Sequence, residues 1–141
     1  MSEWVISLMG VVIGGIITLF TTWFSEHMRE KEERRKKELE VLGVVILHYN
    51  IFWGKIRNET YWNNHLGDAI EFYYGEFSEM RLNNKSNELL YLSMEKRFFI
   101  DKIDNNIYKW ICEAEENNLV SLPMLSKELR LDIEKLAILC K

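Results

Sequence analysis

The sequence predicts an all-α chain: one N-terminal transmembrane helix, a charged helical stalk, and an antiparallel bundle of about four helices. Three observations carry this. Residues 4–23 hold no charged side chain. Residues 25–38 hold a single apolar one, Met28. From Leu39 onward apolar residues recur at intervals of three and four, and no strand-like alternation competes. The segments are therefore 1–24, 25–38 and 39–141.

About 20 apolar residues rising 1.5 Å each cover roughly 30 Å, the thickness of a bilayer's hydrocarbon layer. Trp4 and Trp23 stand at the two ends, where indole rings favour the membrane interface. A cleaved leader would carry a basic start and a small-residue cleavage site. This chain begins Met1-Ser2-Glu3 and its apolar run is too long, so a retained span is expected. Arg29, Lys31, Arg34, Arg35, Lys36 and Lys37 all follow the span and no Lys or Arg precedes it. Cations stay on the cytoplasmic side. The expected topology is a single pass of the bacterial inner membrane, N-terminus outside and C-terminal domain in the cytoplasm.

The span also carries a stripe. Ser7, Gly10, Gly14, Thr18 and Thr21 succeed one another at three- and four-residue steps, with Gly15 beside them. Small residues on one helix face let a neighbouring backbone approach closely, so dispersion and weak Cα–H contacts act. A simple tether needs no such face. The expectation is a homo-oligomer packed through this stripe. With one span per chain, an aqueous path requires a ring.

In the stalk, Glu30 and Arg34, Glu32 and Lys36, and Glu33 and Lys37 are i,i+4 pairs with the acid first, the favoured order. No Gly or Pro interrupts them, so the stalk reads as a helix continuing the span. Its cations also suit anionic headgroups.

In the bundle, Leu39, Leu42, Ile46, Tyr49, Trp53 and Ile56 form a helical seam widened by Val45 and Phe52. A second helix is expected to bury Leu66, Ile70, Tyr73, Phe77 and Met80. The polar run "NNKSNE" at 83–88 reads as a loop. A third helix uses Leu89, Leu92, Phe99, Ile103, Ile107, Trp110 and Ile111, and "EENN" at 115–118 ends it. Ser121 and Pro123, the chain's one proline, suit the start of a last helix bearing Leu125, Leu129, Ile133, Leu136 and Cys140.

Composition narrows the function. The formal charge is −4, and residues 39–141 hold all of that excess. An acidic domain without a basic face is a poor match for phosphate neutralisation, so no direct nucleic-acid binding is expected. Cys112 and Cys140 form no metal or redox spacing and read as small hydrophobes in a reducing compartment. No Gly-rich phosphate loop, G-x-S-x-G or H-E-x-x-H occurs. His65, Asp68 and Glu71 lie three residues apart, but nothing repeats them as a two-metal bundle site requires. No metal and no cofactor is expected. His48 lies beside the first seam and reads as a hydrogen-bonded core or edge residue; His27 falls in the headgroup region.

One constellation has the elements of chemistry. "RNETYWNNH" sets Arg57 and Asn58 at the end of the first bundle helix and His65 after seven intervening residues. The pattern resembles that of four-helix HEPN-type domains, with one residue more than their usual spacing. In active members, that resemblance implies, the histidine acts at an RNA 2′-hydroxyl and the arginine stabilises phosphate charge, which needs an acid or base near neutral pKa and a permanent cation. The plain alternative is a helix C-terminal arginine and a loop histidine.

Taken whole, one span, a charged stalk and a helical domain with this divergent motif resemble the small membrane accessory proteins of type VI-B CRISPR loci. That resemblance implies a divergent HEPN-like bundle without nuclease activity and a ring-shaped pore. It also implies a role in strengthening an RNA-guided RNase effector in antiviral defence. Two other functions fit the residues: a membrane-anchored interaction or scaffold module of the phage-exclusion type, and a membrane-tethered ribonuclease resting on Arg57 and His65.

Overall fold

The computed structural model describes residues 2–57, 67–116 and 122–140. Every regular element among them is helical. Helix α1 is Glu3–Ile56. Helix α2 covers 67–91: an opening turn, a π-helical turn Tyr73–Phe77, and the α-helical run Ser78–Tyr91. Helix α3 is Met94–Glu115 and helix α4 is Leu122–Leu139. The chain divides into two compact units, Met1–Lys36 and Lys37–Lys141.

The first unit is the opening part of α1. It contains the apolar run, which makes α1 the one helix among the described residues long and apolar enough to cross a membrane. Its polar end carries the ion pairs Glu32–Lys36, at 4.0 Å, and Arg29–Glu33, at 3.8 Å. Glu33 thus pairs backward with Arg29. Both pairs are well exposed, and such pairs add only a few tenths of a kcal/mol each.

The second unit buries one core. α1 supplies Leu42, Val45, Tyr49, Phe52 and Ile56; α3 supplies Ile100, Ile103, Ile107, Trp110 and Ile111; α4 supplies Leu129, Ile133 and Leu136. The α1 seam is centred one position from the expected one. Val45 and Phe52 are fully buried, Ile46 and Trp53 only partly, and Leu39 is exposed. Phe52 is the hub of the aromatic packing, with its ring 4.8 Å from Phe77 and edge-on to Trp110 at 6.2 Å.

The expected loop at 83–88 is a correction. Those residues lie inside the α2 run Ser78–Tyr91. The chain breaks later, at Leu92 and Ser93, which take extended backbone angles. Ser93 then starts α3, and its carbonyl accepts the Arg97 N–H at 3.0 Å. Leu89, expected in the third helix's core, is exposed, whereas Leu92 is buried. The expected core position Leu66 lies outside the described residues. Of the others on α2, Phe77 is buried and Tyr73 and Met80 are partly so.

Candidate functional site

α2 packs inward with polar residues. From the last residue of the π turn onward, Phe77, Arg81, Asn84 and Glu88 recur at steps of four, three and four, and all four are buried. A π turn inserts one residue into the helical count and so rotates everything after it. Here the Ser78 hydroxyl donates to the Tyr73 carbonyl at 2.6 Å, a second donor on an oxygen that also accepts the Ser78 backbone N–H.

The rotated face builds a cluster. Arg81 Nε and Nη2 donate to the two Asp104 carboxyl oxygens on α3, at 3.2 and 2.8 Å. Nη1 and Nη2 reach Glu88, at 2.5 and 3.3 Å. Asn84 Nδ2 donates to Glu88 Oε1 at 3.2 Å. From α1, the Tyr49 hydroxyl donates to Asp104 Oδ1 at 2.7 Å, and the Arg81 guanidinium lies over its ring, 5.1 Å from the centroid. One guanidinium therefore holds two carboxyl groups with forked geometry, the strongest neutral-pH arrangement available to these side chains.

The electrostatics have the same source. Burial alone works against the Arg81 charge, but its hydrogen bonds with Asp104 and Glu88 outweigh this and raise its pKa. Burial, then the charge of Asp104, pushes the Tyr49 phenol well above its usual range, so it remains a donor. His48, next to Tyr49 on α1, is buried with Nδ1 lacking a hydrogen-bond partner. The expected hydrogen bond is thus missing at that nitrogen. Burial first, and Arg81 second, hold its imidazole below the usual histidine range, while Asp104 pulls the other way. Each guanidinium nitrogen of Arg81 has a carboxyl partner, so the cluster acts as a clamp joining α1, α2 and α3.

Of the expected motif, only Arg57 lies within the described residues. Arg57 is exposed at the end of α1, with its guanidinium 5.5 Å from the Trp53 ring centroid. Asn58 and His65 lie outside the described residues, as do Tyr61 and Trp62. No three His, Cys, Asp or Glu side chains gather as a metal site among those described. His27 stacks on Trp23 at 5.6 Å. Tyr74, on the π turn, is exposed, and its phenol is pushed up to about 12, chiefly by a hydrogen bond with Glu115.

The apolar stripe is open along its length. A Cβ placed on Gly10, Gly14 or Gly15 would meet nothing within 4 Å. The Thr18 hydroxyl donates to the Gly14 carbonyl and that of Thr21 to the Ile17 carbonyl, each at 2.8 Å. These hydroxyls are satisfied within their own helix, so the face stays compatible with lipid or a second helix. Ser7 shares that face, and Trp4 and Trp23 are exposed at its ends.

No family model, curated protein or solved structure matches this chain.

Proposed function

We propose that this chain is a single-span membrane protein whose copies associate through the Ser7–Thr21 stripe and, closed into a ring, enclose a pore. The cytoplasmic bundle serves assembly and gating, and the setting is antiviral defence beside an RNA-guided RNase effector. The defence setting comes from the likeness of layout to type VI-B accessory proteins. Single-pass topology with the bundle in the cytoplasm rests on the cations after the span. The observation that carries self-association is the pair Gly10 and Gly14, open above Cα on a helix face whose hydroxyls are already bonded.

Gly14→Leu tests this. A leucine there holds a neighbouring backbone away while keeping the helix apolar. The expected result is loss of the closed ring, seen by light scattering and particle images in mild detergent, and loss of ion flux in liposomes. The bundle's circular-dichroism melt stays unchanged. A Gly14→Leu protein that still forms rings and conducts overturns the proposal.

A second reading is a membrane-anchored interaction module. Leu90, Met94 and Phe98 favour it, since each is more than 70% exposed around the α2–α3 break. An unrelated poly-leucine span in place of residues 4–23 would then leave function intact. The pore reading expects that exchange to abolish it.

A further inference from the structure

Residues 41–54 contain no charged side chain. Apart from the buried His48 and the exposed Asn50, which borders Leu47, the stretch is apolar all round, and a helix of that kind is normally covered all round. In the Lys37–Lys141 unit, one face of this stretch is covered by α2, α3 and α4 through Leu42, Val45, Tyr49 and Phe52. The opposite face is not. Val44, Leu47 and Ile51 are exposed there, Leu47 by 56%. Beyond Gly43 and Gly54, at either end of that face, a Cβ would meet nothing within 4 Å.

The order of residues on this face identifies its occupant. Val44, Leu47, Ile51 and Gly54 are spaced three, four and three, a heptad seam with a β-branched residue at each a position and leucine at the d between them. That choice of side chains is the one parallel two-stranded helix pairs use. Chains carrying the same span with the same flanking cations insert in the same direction, so neighbouring copies present this face in parallel. We infer that the outer face of α1, Val44, Leu47 and Ile51 between Gly43 and Gly54, docks on the same face of a second copy of this chain, a two-fold pair from which the ring is built.

This pairing rests on the proposed association of the spans. A seam of two turns is too short to hold helices together alone. Copies joined at their spans meet at high effective concentration, and a weak seam then closes. The pairing settles which side of the bundle meets a neighbour, leaving α2, α3 and the Arg81 clamp turned away from it.

Disulfide trapping in native membranes tests the pairing and its premise separately. The full chain with Cys112→Ser and Cys140→Ser receives one new cysteine, and copper phenanthroline serves as oxidant. Leu47→Cys is expected to give a disulfide dimer of twice the chain mass, as is Gly14→Cys in the span. Lys102→Cys, exposed on α3, is expected to stay monomeric. Trapping at 14 without trapping at 47 overturns the inference and leaves span association standing. Trapping at neither overturns both. Equal trapping at 102 shows random collision and also overturns it, as does a Leu47→Cys product that contains a different protein or only blocked thiol under lipid.

Discussion

At the scale of single residues, the clamp around Arg81 dominates. Two carboxyl groups share one guanidinium, and both Arg81 and Glu88 are nearly out of solvent. Removing the shared cation leaves both acids without their partner. Breaking such a buried pair costs about 3–5 kcal/mol. Arg81→Met is therefore expected to lower the melting temperature of the full chain in detergent strongly, whereas Arg130→Met, which breaks the exposed pair with Glu134, shifts it little. Equal melts would show that the clamp does not stabilise the fold. His48 yields a pH prediction. Its folded pKa is lowered, so the stability it supports is whole above about 6.5 and is lost as pH falls through its folded value. His48→Gln is expected to remove part of the melting-temperature drop between pH 7.5 and pH 5. A drop of unchanged size would place the acid sensitivity elsewhere. Asn84 and Glu88 were legible in the sequence only as part of the polar run 83–88, and Arg81 not at all, because hydropathy cannot distinguish a solvated side chain from one satisfied by its neighbours.

At the scale of elements, the stripes on α1, α3 and α4 were legible because their inner faces are apolar. Leu42, Tyr49, Ile56, Ile103, Ile107, Ile111, Leu129, Ile133 and Leu136 are all buried where the spacing placed them. On α2 the spacing placed Phe77 in the core, with Tyr73 and Met80 partly so, but it missed the second half of the helix, for two physical reasons. Its inward face turns polar after Phe77, and a π turn shifts its register, a feature that three- and four-residue counting does not contain. The signal was present in another form, since Phe77, Arg81, Asn84 and Glu88 keep helical spacing through the supposed loop. This yields a deletion test. Removing Gly75 takes out the extra residue of the π turn and leaves the inward face in phase with the run Ser78–Tyr91. Removing Lys85, exposed in the same helix, turns Glu88 by about 100° away from Arg81. The Gly75 deletion is expected to keep a cooperative melt and the Lys85 deletion to lose most of it. The reverse order would mean that the π turn, not the clamp, fixes α2.

At the scale of the whole molecule, the division of labour lies within α1. Among the described residues, the buried core from Val41 to Leu136 belongs to the Lys37–Lys141 unit. Residues 37–141 alone are therefore expected to fold, with a cooperative helical melt close to that of the full chain. They are also expected to be monomeric at micromolar concentration. The Val44–Leu47–Ile51 seam covers only two turns, and without the spans nothing raises its local concentration. Sedimentation of this fragment beside the full chain in detergent separates the contributions. A folded monomer from the fragment and a ring from the full chain assign assembly to the span, with the seam closing second. A fragment that assembles alone moves the primary contact into the bundle, and the glycine face of the apolar helix is then one that packs after assembly rather than the one that drives it.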